Sequence, residues 1–460
     1  MSLERAMTRA LTDAPLERRE GLTVVAFECS LDLEGLVAHL TPQTFGSLVL
    51  WDTRASEMLA GEFTVGIGTA HEVVASGAGR FAETRDALAR VLDNVGDPRV
   101  RAFGGFAFDG GSLGDFEPFR HARFVIPRWT FSERADGTVT GLLVAQAAAI
   151  QERGRLLLEA RALDLAASPK GRKSRMMRRR SVSLADDGAS AFRAGVEAAV
   201  VAIEAFDLEK VVLARVARVR HAPAANEVLP RLSGAAGCVR FGFQVEGAAF
   251  VGATPETLLS FDGRVVRTEA VAGTEPRRGA DLAEASRLLL RDKDRREHAL
   301  VVASILRDLQ GLGVDVVAAD EPRLRTLTHL HHLVTPMVGT ITANLHVIDL
   351  VAGMHPTPAM GGVPRKQALA FVHAHETVAR GHYAAPIGWV AAGGKGDFVV
   401  GIRSALLLPE SALLFAGAGI VRGSIPELEL AETGAKLKTM LSALSAGPGP
   451  RRQPEDELGV

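Results

Sequence analysis

Two pairs of acids at i,i+3 spacing raise the question of chemistry first: Asp294/Glu297 and Glu429/Glu432. On a helix that spacing turns both carboxylates to one face. A single pair is ordinarily a solvated face. Two of them, beside histidine-rich and glycine-rich sequence, point to a hard divalent cation. Magnesium takes oxygen ligands and keeps several waters, so two or three carboxylates plus a substrate complete its shell. Lys210 opens the strand-like KVVLAR just after a helix, and Glu269 lies in the strand-like RTEAVAGT ahead of a glycine turn. Each, taken alone, also reads as an exposed charge at a strand end. Together with the paired acids they would supply a base and an acid on opposite sides of a pocket.

Other motifs carry less. GAGIVRG (417–423) follows a strand, but Ser424-Ile425-Pro426 separates it from the next helix. A dinucleotide-binding glycine loop opens straight into its helix. The run therefore reads as a glycine loop whose backbone N–H groups approach an anionic ligand. HLHHL (329–333) and HAHE (373–376) do not match HExxH and have no cysteine ligands beside them. No histidine-bound transition metal is expected from them.

The elements that must position these residues follow from hydrophobic spacing. GLTVVAFECS and GSLVLWDT read as strands, Phe81–Val95 as a helix, and ARFVIPRWTFSERADGTVTGLLVA as a long hairpin turning at Asp136-Gly137. Phe192, Val196, Val200 and Ile203 form one stripe of a helix over 189–206. Consecutive antiparallel strands follow from KVVLARVARVR to TEAVAGT, with a hairpin turn at Asp262-Gly263. A helix is expected over 282–309, strands over 384–415, and a closing helix over 425–444.

Composition bounds the rest. The 460 residues are 47% hydrophobic and 23% charged, which excludes a disordered, collagenous or disulfide-stapled chain. Lys+Arg (53) against Asp+Glu (54) leaves a net charge of −1, so no nucleic-acid or membrane partner is expected. Cys29 and Cys238 lie far apart in sequence, in keeping with a reducing cytoplasm. The first twenty residues carry four acids and no apolar core, unlike a signal or transit peptide. Seven basic residues between Lys170 and Arg180, with no interleaved aromatics, read as an exposed linker over 166–188; a nucleic-acid-binding module built on that run is the competing reading.

Taken in order, KVVLAR (210–215), GATPETL (252–258), TEAVAGT (268–274), KDRREHALVV (293–302), HHLVTPMVGT (331–340), HPTPAMGGVP (355–364), RGHYAAPIGW (380–389), IRSALL (402–407) and GAGIVRGSIPELELAETGAKL (417–437) resemble the chorismate-utilising enzymes. The resemblance runs from Ala189 to Ser442 and assigns 189–445 to the chorismate-binding catalytic region. Residues 1–165 are more loosely similar to the family's amino-terminal half, and 446–460 are expected to be a disordered tail.

The resemblance implies an α+β fold in which two large antiparallel sheets form a sandwich core flanked by helices, as in anthranilate synthase component I. It implies chorismate as substrate and Mg2+ as cofactor. By motif position Lys210 would be the base and Glu269 the acid that protonates the departing 4-hydroxyl. Glu297 and Glu432 would hold magnesium directly, with Asp294 and Glu429 acting through waters. Gly417, Ala418, Gly419, Tyr383, Arg403 and Lys436 would bind the two carboxylates of chorismate. His332 and Thr335 would line the pocket, with Gly273 and Thr274 on the acid's side.

Within the family, lysine at 210 suits water as nucleophile, whereas anthranilate synthases typically place glutamine there. The lysine of the aminodeoxychorismate synthases' PIKGT turn is missing here, where residues 270–274 read AVAGT. The nearest resemblance is therefore to isochorismate synthases, with salicylate synthase as the alternative and no obligatory glutamine amidotransferase subunit. The extended amino-terminal half is more similar to the menaquinone-pathway type than to the siderophore type.

Overall fold

In the computed structural model the strand pairings among the described residues are antiparallel, and they branch at one long strand, Ala122–Glu133. The structure describes residues 1–13, 21–40, 46–168, 184–185, 188–276, 292–327 and 330–445. Residues 122–125 of the branching strand pair with Arg101–Phe106, residues 129–133 pair with Val139–Gln146, and Phe63–Ala75 runs along the other edge.

Two sheets leave this junction. The first passes through Phe63–Ala75, Leu48–Asp52, Val239–Val245, Ala248–Thr254, Ser404–Leu407 and Ser411–Ile420 to Lys210–Arg220. The second passes through Arg101–Phe106, Pro386–Ala391, Lys395–Val400, Thr257–Phe261 and Val265–Pro276 to Leu330–Ile341. Gly104 is required in the second: a Cβ there would stand 1.9 Å from the carbonyl oxygen of Arg123.

Phe103, Ile387 and Val399 from the second sheet share one buried cluster with Trp51, Phe241, Phe250 and Leu406 from the first. That aromatic layer is the inside of the sandwich, and burying it supplies most of the drive to close the sheets on one another. Helices cover the outer faces. Leu88 and Leu92 of Arg80–Val95 pack over the second sheet with Asp292–Gly311 and Val347–Met354. Leu3–Asp13, Leu33–His39 and Arg153–Ala167 pack over the first. Phe192, Val196 and Ile203 of Ala189–Glu204 seal Val211, Leu213, Ala418 and Ile420.

The α+β expectation and the antiparallel sandwich hold. Strands from the first 165 residues are built into both sheets, Leu48–Asp52 against Val239–Val245 and Arg101–Phe106 against Pro386–Ala391. The helix expected over 282–309 is described from Asp292 to Gly311. Its first expected residues, the basic run 170–180 and the tail 446–460 lie outside the described residues. No described helix is long and apolar enough to cross a membrane.

Candidate active site

A cavity of about 760 Å³ opens between the carboxyl-terminal helix and the ends of both sheets. Lys210 enters it from the first residue of its strand and is 1% exposed. Neighbouring Ser411–Ile420 contributes Gly417 and Gly419, in register with Ala214 and Val212. The helix Pro426–Ser445, entered through a proline as suits a first turn, presents Glu429, Glu432 and Lys436 at i, i+3 and i+7. Glu297 comes from Asp292–Gly311, and Gly273 and His332 from the paired strands of the second sheet. Arg403 comes from the segment joining Lys395–Val400 to Ser404–Leu407, and Tyr383 from the one joining the helix Arg365–His375 to the strand Pro386–Ala391.

Gly417–Gly419 was expected as a loop but lies inside a strand, because SALLFAGAGI continues the ladder against Lys210–Arg220. What the glycines provide is missing side chains. A Cβ at 419 would stand 2.8 Å from Glu297 Oε1 and 3.0 Å from Lys210 Cε, and one at 417 would stand 3.2 Å from the Tyr383 hydroxyl. Ala418 turns the other way, into the Phe192–Val196 cluster, and does not line the cavity.

The Lys210 Nζ donates to Glu297 Oε1 at 2.8 Å. Lys436 Nζ donates to Glu432 Oε1 at 2.7 Å and to the carbonyl oxygen of Gly417 at 2.8 Å. Arg403 is different. Its guanidinium is buried, lines the cavity, and has no hydrogen-bond acceptor among the described residues. Burial lowers its pKa, since a desolvated cation is disfavoured until an anion arrives. Arg403 sits at φ 50, a left-handed conformation uncommon for a side-chain-bearing residue. Tyr383 stacks on Phe415 with ring centroids 5.1 Å apart, and burial pushes its pKa up to about 12, so it remains a hydroxyl donor. His332 lies with Nδ1 3.3 Å from the Gly273 carbonyl oxygen, and burial, with Arg403 and Lys436 nearby, lowers its pKa to about 3. A neutral ring faces the cavity.

The buried acid on the cavity wall is not the one the sequence expectation named. Glu269 does not reach the cavity wall. Both of its carboxylate oxygens accept from Arg325, at 2.7 Å each. The acid on the wall is Glu256, from GATPETL, which the sequence reading passed over. Burial first, and then the Glu269 charge, push its pKa up to about 8. A glutamate of that kind carries a proton at neutral pH and can give it away. The signal was present in the sequence as a glutamate in a turn between two largely apolar strands, but nothing there said it faced a cavity.

Thr335 also stands back from the wall, with its hydroxyl oxygen 2.7 Å from His298 Nε2. Gly273 reaches the wall at φ 78, at a bulge where the register against Leu330–Ile341 shifts. The side chains of Thr274 and Asp294 lie outside the described residues.

Glu297, Glu429 and Glu432 all line the cavity, an all-oxygen donor set of the kind a hard cation takes. Among the described residues no three acidic, histidine or cysteine side chains are gathered closely enough to hold an ion. Glu297 and Glu432 instead each hold a lysine ammonium, so positive charge already faces these carboxylates. In the kind of donor they offer the acids fit magnesium.

A family profile described as chorismate binding enzyme matches residues 15–445. The salicylate biosynthesis isochorismate synthase of Pseudomonas aeruginosa is 43% identical over 203 residues, which is 43% of this chain and 42% of that protein. The isochorismate synthase MenF of Bacillus subtilis is 41% identical over 208 residues, 44% of each. The matched stretch thus spans less than half the length of either relative. The structure of MenF, the menaquinone-specific isochorismate synthase from Escherichia coli, superposes with a TM-score of 0.77 at 24% identity, covering 96% of this chain and 100% of that one. A profile match over nearly the whole chain, on a fold that gathers the matched motifs around one cavity, makes this protein a member of the chorismate binding enzyme family.

Proposed function

We propose that the protein is an isochorismate synthase, which reversibly converts chorismate to isochorismate by attack of water at C2 and loss of the C4 hydroxyl, with magnesium as cofactor. The observation that carries the reading is the placement of Lys210 and Glu256 in one cavity with the guanidinium of Arg403, which has no hydrogen-bond acceptor among the described residues. The relatives named isochorismate synthase support it.

Chorismate brings two carboxylates, so its site must supply cations and hydrogen-bond donors. Arg403, Lys436 and the Tyr383 hydroxyl meet that need. Lys210 is the base that takes a proton from the attacking water. Glu256 gives its proton to the departing 4-hydroxyl, which leaves as water while the ring double bonds shift. We assign the acid to Glu256 and not to Glu269, because Glu256 borders the space the substrate would fill and Glu269 does not. Magnesium, held by Glu297 and Glu432 with Glu429 and Asp294 acting through waters, would neutralise the ring carboxylate.

Water as nucleophile is supported by Lys210 and by the absence of a lysine between Glu269 and Thr274. No amidotransferase subunit is then needed. The extended amino-terminal half favours the menaquinone-pathway type. The thiols of Cys29 and Cys238 are both free, in keeping with a cytoplasmic protein.

The test is incubation of the purified chain with chorismate and magnesium, with products separated and identified by mass and absorbance. Isochorismate in equilibrium with chorismate is expected. Salicylate with pyruvate would make the protein a salicylate synthase, and an aminated product on adding ammonium would overturn water as the nucleophile.

A further inference from the structure

The Glu269 carboxylate is 1% exposed, has no place on the cavity wall, and is clamped by both terminal nitrogens of Arg325. The same Arg325 Nη1 donates to the carbonyl oxygen of Pro255 at 3.0 Å, the residue immediately before Glu256. One guanidinium therefore ties the carboxylate of one acid to the backbone that aims the other. Thr268, beside Glu269, donates its hydroxyl to the Leu258 carbonyl oxygen at 2.6 Å and closes the same strand pair from the other side. Arg325 is itself 4% exposed and belongs to the short strand Arg323–Thr326, which is laid against Leu330–Ile341.

We propose that Glu269, pinned by Arg325, is a positioning residue: a fixed buried negative charge that holds the proton on Glu256. The proposal rests on the reading of Glu256 as the acid. The charged and titratable groups that act on Glu256 come from every neighbouring element. Lys210, Lys436 and Arg325 favour its ionised form, Glu269 opposes it, and Arg403 and Tyr383 share its surroundings. Like charges brought together out of water cannot both ionise without cost. Glu269 is committed to Arg325 through two charge-assisted bonds, the stronger kind, so the proton resides on Glu256. A carboxylate free to rotate or to exchange partners would not do this, which gives the two-point clamp a purpose beyond stability. With Glu269 and Arg325 removed together, Lys210 and Lys436 remain and still favour ionised Glu256.

The experiment is the pH profile of turnover for Glu269→Gln, Glu269→Asp, Glu256→Gln and the double variant Glu269→Gln/Arg325→Met, with folding followed by circular dichroism. Glu269→Gln should move the alkaline limb down by about one pH unit while keeping a plateau below it. Glu269→Asp keeps the charge and should leave the limb within about 0.3 unit of its original position, since a like charge remains opposite Glu256. If Glu269→Gln alone does not fold, the double variant carries the same downward prediction. An unmoved limb in a folded Glu269→Gln or double variant, with Glu256→Gln inactive, overturns this inference and leaves Glu256 as the acid. A folded Glu269→Gln that is inactive at every pH while Glu256→Gln still turns over makes Glu269 the acid and overturns the underlying reading.

Discussion

Lys210 and Glu297 meet at 2.8 Å across a space that exists only because residue 419 has no side chain. The base strand and the acid-bearing helix are 87 residues apart in sequence. The pairing joins the residue proposed to move a proton to one proposed to hold a cation, and one oxygen cannot serve both.

Replacing Lys210 by Ala should lower turnover by roughly 10²–10⁴, the usual weight of a general base. It also removes the ammonium that faces Glu297. Titration calorimetry should therefore show magnesium binding at least as tight as in the parent chain. Chorismate binding should persist, because Arg403, Lys436 and Tyr383 are untouched.

Gly419→Ala tests the space itself. The added methyl would lie 2.8 Å from Glu297 Oε1 and 3.0 Å from Lys210 Cε, both toward the ends of flexible side chains. Those ends can move aside, so thermal stability should change little. The displaced base and carboxylate should lower kcat by about tenfold or more, since small misplacements at a reacting centre are costly. A variant with unchanged kcat would show that the ion pair is not close to the chemistry.

Arg403→Met should act on binding more than on the chemical step. A charge-assisted hydrogen bond to an ionised partner is worth about 1.5–3 kcal/mol, or roughly 10–150-fold in affinity. The measurement is KM against kcat, with the rise confined largely to KM. Arg403→Lys should recover only part of the loss, because the planar two-point grip on a carboxylate is gone.

The raised pKa of Glu256 has a consequence for stability with a definite sign. Between the ordinary glutamate value of 4.5 and about 8 the folded chain holds a proton on Glu256 that the unfolded chain has released. The folded state binds more protons there, so this group lowers stability as pH rises through that window. Glu256→Gln removes the dependence. The variant should melt higher than the parent at pH 8–9, with the difference shrinking toward pH 5, while turnover is lost at every pH.

Much of this was legible in the sequence, and for a local reason. Strand and helix periodicities, the Asp136-Gly137 and Asp262-Gly263 turns and the i,i+3 acid pairs are properties of short windows, and the elements they specify were found where expected. Motif order carried the family, and it named Lys210, Glu297, Glu429, Glu432, Tyr383, Arg403 and Lys436, all of which line one cavity. What the sequence alone could not decide was which way a buried side chain faces and what it meets there. Glu256 sits just ahead of Thr257–Phe261, the strand that pairs with the strand of Glu269, and the two look alike as letters. A partner 56 residues downstream, Arg325, takes the first, while the fold leaves the second at the edge of the cavity. The glycines of 417–419 read locally as a turn, yet pairing with Lys210–Arg220 makes them a strand, because ladder hydrogen bonds and burial of both faces outweigh the conformational freedom of glycine. Local spacing fixes which elements form. Desolvation and charge pairing, which depend on residues far away in the chain, decide which acid keeps its proton.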